Sequence, residues 1–317
     1  MTMLQEALIV GTQILMIFIF IAVGIVSVKT GVFTQETGRR LSNFLLSVIT
    51  PSLIINSYQI DYDSNMVGRI GLSFLLAVIF HIISTIIAIL CIRKRPDSRY
   101  RIDRIGVMFS NCGYMAIPLI QATLGEEGVT YSAAFIAVFS VLLWSLGAIV
   151  LQEGDERPKL RKILITPATV GLATGVLLYF LRIRLPVPLG SAVRHIAATN
   201  TPVAMIIIGI FLSSLNIKET FFNKRIYYIT FLRLILVPVA VLGFFWLIGA
   251  SRWIDGADKV MMASMLAASC PAAASTTLFP VKIGMDGEHG ARLIAVSTLV
   301  SLLTLPAMSF LTNLVIR

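Results

Sequence analysis

Long apolar stretches alternate with short polar segments along the whole chain. The hydrocarbon core of a bilayer is about 30 Å thick, so each crossing helix needs about 20 mostly apolar residues. Ten stretches approach or exceed this length, and the pattern therefore predicts an all-α polytopic membrane protein with ten transmembrane helices. We number them spans 1 to 10, over residues 7–28, 41–58, 70–92, 105–124, 129–151, 164–181, 195–215, 226–250, 260–281 and 293–316.

The composition agrees with a membrane protein and decides how the charge is interpreted. The chain is 57% hydrophobic and 13% charged, with a mean hydropathy of +0.88, which excludes an ordinary soluble domain. A net charge of +10 would suggest nucleic acid binding in a soluble protein. Here the basic residues fall in loops, so we interpret them as topology signals and contacts to anionic lipid. We expect the lipid bilayer as a partner and no nucleic acid.

The distribution of basic residues predicts the orientation of the chain. With the N-terminus outside, eighteen Lys and Arg residues lie in inner loops and seven lie on the outer side. Cytoplasmic loops are enriched in these residues. We therefore expect a multi-pass protein of the cell (inner) membrane with both termini outside. The remaining basic residue, Arg233, lies within span 8.

Spans 4 and 9 are interrupted near their middles. Span 4 contains NCGYMAIP at residues 111–118, and span 9 contains SCPAAASTTLFP at residues 269–280. Proline has no amide hydrogen and clashes with the carbonyl four residues earlier, so it frees backbone groups inside a helix. In a membrane such groups are tolerated only within protein or beside a wet cavity. A pair of interrupted helices is typical of a transporter's binding site.

The two halves of the chain repeat each other weakly. The Thr-Pro pair at residues 50–51 matches the pair at 201–202, and LWSL at residues 143–146 matches LLTL at 302–305. Because each copy holds five spans, an odd number, the second copy enters the membrane inverted, and spans 4 and 9 are expected to cross. The two predicted five-helix repeats cover residues 1–156 and 157–317.

The order of these motifs resembles the auxin efflux carrier family, which includes plant auxin exporters and bacterial malate or malonate permeases. The resemblance rests on Asn-x-Gly followed by proline in span 4, and on proline with small and hydroxyl residues in span 9. It rests further on Asn200-Thr201-Pro202 leading into Gly209, and on Arg233 ahead of Pro238. The resemblance implies that the chain is a compact prokaryotic member of the family. It also implies a scaffold of spans 1, 2, 6 and 7, an elevator-like movement of spans 3–5 and 8–10 against that scaffold, and a homodimer.

The crossing of spans 4 and 9 is the predicted substrate site. The second halves of the two spans begin near Ala116 and Ser275, where unpaired amides and a partial positive charge favour a carboxylate. The first halves end near Asn111 and Ser269, where carbonyls favour a cation or an amide donor. The candidate substrate-binding residues are Thr50, Asn111, Gly113, Tyr114, Pro118, Asn200, Thr201, Arg233, Ser269, Pro271, Ser275 and Thr276.

Several of these residue types also have structural roles, and the sequence leaves both the functional and the structural interpretation open. Serine and threonine often bond to carbonyls of their own helix in membranes, and proline kinks a span whether or not a ligand is near. Arg233 is either a functional charge inside the membrane or a side chain that snorkels toward the cytoplasmic end. His81 in span 3 is either a proton carrier or a packing residue.

The leading functional hypothesis is a secondary transporter of small organic anions such as malate, malonate or an auxin-like acid. No Asp or Glu lies well inside a predicted span, so a carboxylate-based ion site is not supported. A sodium-coupled symporter of the bile-acid type and a passive channel remain alternatives. An intramembrane enzyme would need a catalytic set that the sequence does not contain. The three cysteines have no metal-ligand spacing, and we expect no metal or other cofactor.

Overall fold

The computed structural model describes residues 3–151, 167–214, 217–282, 285 and 287–316, and the regular structure within these ranges is helical apart from one isolated bridge. The central connection with the predicted repeat boundary at 156/157, and Ile283-Gly284, lie outside the described residues. The helices are α1 (Met3–Lys29), α2 (Gln35–Phe44), α3 (Thr50–Ser57), α4 (Ser64–Cys91), α5 (Arg99–Met108), α6 (Ile117–Leu142), α7 (Ala148–Leu151), α8 (Pro167–Phe180), α9 (Val187–Ala198), α10 (Asn200–Leu212), α11 (Ile217–Phe221), α12 (Lys224–Phe231), α13 (Val237–Leu247), α14 (Ala257–Ser269), α15 (Ser275–Lys282) and α16 (Glu288–Ile316).

Within the described ranges, five helical stretches are long and apolar enough to cross a membrane. Two shorter helical segments, Leu15–Lys29 within α1 and Pro167–Phe180 (α8), are also apolar. Large apolar side chains such as Leu90, Trp246 and Leu303 are exposed on the outer surface, as expected beside lipid. These features fit a polytopic membrane protein, while the count of ten spans and their inverted arrangement stay predictions. The five long stretches are Ser64–Cys91, Cys112–Leu151, Val187–Leu212, Lys224–Leu247 and Glu288–Ile316.

The stretch from Cys112 to Leu151 is two helical pieces rather than one long helix. Gly125 has a φ of 67° and a ψ of −159°, which lies outside the helical region. Glycine has no Cβ and adopts this conformation without strain. The chain therefore changes direction between the segments predicted as spans 4 and 5.

Wide π-helical turns precede three of the intramembrane prolines. Residues 45–49 form such a turn before Pro51, residues 112–116 before Pro118, and residues 232–236 before Pro238. Proline cannot donate the helical hydrogen bond and crowds the preceding turn, and a local widening accommodates both effects. The three prolines thus lie in the first turns of α3, α6 and α13.

Close contacts between backbones hold one group of helices together. α1 packs along α10, and α3 packs against α8 and α9. A Cβ on Gly24 would clash with the Ile206 carbonyl, and one on Gly209 would clash with the Ile21 carbonyl. Small residues at such crossings let transmembrane helices approach closely.

The remaining long helices form a second group around the interrupted segments. α4 and α14 both pack against α6, and α14 also packs against α16. The predicted division into a scaffold of spans 1, 2, 6 and 7 and a moving group of spans 3–5 and 8–10 stays a prediction, since α1 and α3 also contact α6.

Several helices begin about six residues before the predicted span. α2 begins at Gln35 after a capping box built on Thr34, and α4 begins at Ser64 after Asp63, which accepts a hydrogen bond from the Asn65 amide. Polar capping residues extend a helix beyond its apolar part. The hydrophobic pattern therefore predicts the apolar part of each helix but not its polar first turns.

Candidate functional site

The two interrupted helices meet at their breaks. α5 ends at Met108 and α14 ends at Ser269. In the gap between each helix and the next one, the Asn111 amide donates to the Pro271 carbonyl at 2.8 Å, and the Ala273 amide donates to the Phe109 carbonyl at 3.1 Å. The two breaks thus run antiparallel and satisfy part of each other's backbone.

On one side of the crossing, backbone carbonyls of both broken helices converge on Arg233. The guanidinium donates to the Val107 carbonyl at 2.9 Å and to the Cys270 carbonyl at 3.1 Å, and it also donates to the Ala268 carbonyl. Arg233 is 0% exposed. We call this arrangement of Arg233 with the carbonyls of Val107, Ala268 and Cys270 the carbonyl pole.

On the other side, the second halves of the broken helices begin at a cavity of about 580 Å³. Asn111, Gly113, Tyr114 and Ser275 line it from the breaks, and Thr50 lines it from α3. We call these five residues and the cavity the amide pole. Amides in a helix's first turn have no partner within the helix, and the helix dipole gives this end partial positive charge.

Four side chains that line the cavity have buried polar atoms without a partner in the protein. The atoms are the Asn111 amide nitrogen and the hydroxyls of Thr50, Ser110 and Ser275. Asn111 is 2% exposed and Thr50 is 5% exposed. Buried polar groups are nearly always hydrogen-bonded. Unpaired donors that line one cavity therefore indicate a polar ligand or ordered water.

The remaining cavity wall is mostly apolar and aromatic. Phe139 and Trp144 line it from the helix after the Gly125 turn, and Phe279 lines it from α15. The Trp144 and Phe279 rings meet edge to face with 5.0 Å between their centroids. Within the described part of the chain, Arg39 is the one charged residue in the lining. Its side chain is 57% exposed and lies 3.9 Å from a Glu36 carboxylate oxygen.

Seven of the predicted site residues lie outside the cavity lining. The Asn200 side chain donates to the Gly113 carbonyl at 3.0 Å and so braces the break from α10. The Ser269 and Thr276 hydroxyls are buried without a partner, and the Pro271 carbonyl joins the two breaks. Arg233 does not snorkel, because its guanidinium is held at the carbonyl pole. Pro118 lies in the first turn of α6, and Thr201 lies at the start of α10.

His81 lies on α4 and packs against aromatic residues of α4, of α6 and of the segment that follows α5. Its Nδ1 lies 2.7 Å from the Ala77 carbonyl, and its Nε2 has no partner. The rings of Phe80, Phe109 and Phe135 surround it at centroid distances of 4.7, 5.7 and 5.6 Å. This environment favours the packing role over the proton-carrying role.

Charge clusters lie near the ends of the second helix group. The Asp103 carboxylate is 0% exposed, accepts from Arg225 at 2.6 Å, and lies 2.7 Å from His289 Nε2. Glu127 pairs with Arg69 at 2.9 Å. The hydrophobic pattern did not predict the two interactions of Asp103, because this aspartate precedes the predicted span 4 in a basic loop. These ion pairs join neighbouring helices and lie outside the cavity lining.

Comparisons with known proteins agree with the geometry. Residues 9–161 and 156–309 match the family described as membrane transport protein. The chain is similar to an uncharacterized transporter of Methanothermobacter thermautotrophicus, with 22% identity over 93% of this chain and 96% of the relative. It is 24% identical to one of Methanocaldococcus jannaschii over 92% of this chain and 95% of the relative. Protein ECM3 of Saccharomyces cerevisiae is 26% identical over 45% of this chain and 25% of the yeast protein.

Proposed function

The chain belongs to the membrane transport protein family of the auxin efflux carrier type, and we propose that it is a secondary transporter of small organic anions. The observation that carries this proposal is the amide pole. There, two helix N-termini and four side chains with unpaired polar atoms face one cavity. Helix N-termini bind carboxylates and phosphates through amides and dipole. A carboxylate at this point would accept from Asn111 Nδ2 and from the Ser275 and Thr50 hydroxyls.

The cavity wall favours a substrate with one carboxylate and an apolar body. Trp144, Phe139 and Phe279 supply aromatic surface, while Arg39 is the one cationic lining residue within the described ranges. A second carboxylate would meet these rings or neutral donors such as Asn43, Ser47 and Ser140, with no cation at its side. Burying a charge without an oppositely charged partner is very costly. An auxin-like acid therefore fits this lining better than malate or malonate does.

The proposed transport cycle is elevator-like. The cavity reaches Arg39 on α2 and Pro167 at the start of α8, which are on the predicted cytoplasmic side, so this conformation corresponds to an inward-facing state. The packing of α1, α3, α8, α9 and α10 as one group supports their role as a scaffold. The other helices would carry Asn111, Gly113, Tyr114 and Ser275 across the membrane, while Thr50 stays on the scaffold. Two copies would form a homodimer through their scaffolds.

The experiment is counterflow in proteoliposomes that contain the purified protein. Radiolabelled indoleacetate and radiolabelled malonate serve as probes, and unlabelled acids serve as competitors. We expect saturable uptake with trans-stimulation, stronger for indoleacetate than for malonate. The Asn111→Ala variant should lose about 10- to 100-fold in affinity, because a hydrogen bond to a charged group contributes about 1.5–3 kcal/mol.

The matched control is Ser264→Ala, which also removes a buried, unpaired polar group, but one outside the cavity lining. This variant should transport like the wild type. Uptake without saturation or trans-stimulation would favour a channel. Equal affinity in the wild type and Asn111→Ala, with both proteins folded, would contradict the proposed site.

A further inference from the structure

Arg233 is bound by the backbone of both broken helices. The Val107 carbonyl belongs to the last turn of α5, the Ala268 carbonyl to the last turn of α14, and the Cys270 carbonyl to the break that follows. The Phe80 ring covers the guanidinium at 5.3 Å from its centroid. Among the described residues, none of the acidic side chains forms an ion pair with Arg233. Its hydrogen-bond partners are therefore carbonyl oxygens, which are neutral.

Such a cluster of carbonyls favours a cation. The last carbonyls of a helix have no partner within the helix, and the helix dipole places partial negative charge at this end. Two such ends converge here in the interior of the protein. In transporters with discontinuous helices, half-helix C-termini and unwound carbonyls commonly coordinate a sodium ion. The guanidinium fills the corresponding position in this chain.

The side chain also has the geometry for this role. The guanidinium has five N–H donors in a fixed plane and stays charged in proteins. Its Nε, Nη1 and Nη2 atoms each reach a different carbonyl. α12 and α13 flank the π-helical turn at residues 232–236, which carries Arg233, and they fix its backbone beside the crossing. A mobile ion would dissociate during each transport cycle, whereas this cation cannot leave.

We propose that Arg233 is a built-in monovalent cation that replaces a coupling sodium ion at the crossing, so that the protein works without sodium. The claim that transport is independent of sodium rests on the proposed function. The predicted effect of Arg233 on thermal stability does not. It distinguishes the carrier from a sodium-coupled symporter of the same architecture. It also gives Arg233 a positioning role, since the residue holds the two breaks together and does not contact the cavity.

The test measures thermal unfolding of the purified protein in sodium, potassium and choline chloride at equal ionic strength. The wild type should have the same midpoint in all three salts. Arg233→Ala leaves the carbonyls without a cation, so its midpoint should fall. Sodium, or guanidinium well below denaturing concentrations, should restore part of the loss, whereas choline is too large to enter. Arg40→Ala is the matched control, because that arginine is 81% exposed and its loss should create no response to cations.

Arg233→Lys tests the idea if the alanine variant does not fold. The lysine ammonium retains a tethered charge, so this variant should show a smaller loss of midpoint and no response to sodium. If Arg233 made a purely structural contact, Arg233→Ala would lose stability and its unfolding midpoint would not respond to sodium or guanidinium. That result would overturn the proposal. Sodium-dependent unfolding or uptake in the wild type would also overturn it. Absence of organic anion uptake in every salt would instead contradict the proposed function and leave the unfolding result valid.

Discussion

Both poles of the crossing are formed by ends of the two broken helices, but the carbonyl pole is filled by a side chain, whereas the amide pole opens to a cavity. At the carbonyl pole, the ends of two helices meet Arg233, a side chain of the same protein. At the amide pole, the beginnings of two helices meet a cavity in which Asn111 and Ser275 have unpaired polar atoms. The dipoles of the helices make one pole negative and the other positive. The protein neutralises the negative pole permanently and leaves the positive pole open.

Under the proposed function, this difference accounts for the choice of an anion. The filled carbonyl pole leaves no place for a coupling cation, and the open amide pole favours a negatively charged occupant. Transport of a monovalent anion would then move net charge, and a membrane potential of 100 mV supplies about 2.3 kcal/mol for each charge. The contrast between the poles predicts what each substitution at the amide pole will do.

The largest effect is expected from a charge placed at the amide pole. Asn111→Asp keeps the size of the side chain but replaces a donor with a carboxylate that repels the substrate. Like charges inside a site of low dielectric interact strongly. We expect uptake of indoleacetate to fall below detection at neutral pH, a greater loss than Asn111→Ala shows. Recovery of uptake at low pH, where the new carboxyl group is protonated, would support the electrostatic cause. Uptake equal to that of Asn111→Ala at every pH would contradict it.

The sequence located the amide pole better than it located the cavity wall. Thr50 precedes Pro51, Asn111 lies two residues before Gly113, and Ser275 lies four residues after Pro271. Proline and glycine within a span predict exposed backbone in a site. Trp144 and Phe279 lie inside apolar helices, where an aromatic residue has the same pattern whether it faces lipid, core or ligand. Which of these it faces depends on helix rotation and packing, and the hydrophobic pattern does not determine them.

Arg233 illustrates a second limit of the sequence. A basic residue within a span is recognisable, and its importance was predicted. Its partners are the carbonyls of Val107, Ala268 and Cys270, which every residue type possesses. Backbone partners have no signature in the sequence, so only the folded arrangement shows that this charge completes the carbonyl pole. The π-helical turns before Pro51, Pro118 and Pro238 were not predicted either, because they too are backbone features.

An intermediate effect is expected when a neutral donor at the amide pole is removed. Ser275→Ala deletes one unpaired hydroxyl, and a typical hydrogen bond contributes about 0.5–1.5 kcal/mol. We expect a 2- to 10-fold rise in the half-saturating concentration of indoleacetate, with little change in the unfolding midpoint. Ser301→Ala is the matched control, because its buried hydroxyl already donates to the Thr298 carbonyl of its own helix and lies outside the cavity lining. A larger change in affinity for the control than for Ser275→Ala would argue against the polar contact.

The smallest effect is expected at the cavity mouth, where the positive charge is exposed. The Arg39 side chain is 57% exposed and lies 3.9 Å from Glu36, so solvent screens its field. Its contribution should be to attract the anion rather than to hold it, because exposed charges act mainly on association rates. Arg39→Ala should therefore slow uptake modestly at low ionic strength and match the wild type at high ionic strength. Arg40, which is 81% exposed on the same helix and absent from the lining, provides the control. If the Arg39→Ala defect persists at high salt, Arg39 binds the substrate directly and the amide pole is not the only source of anion affinity.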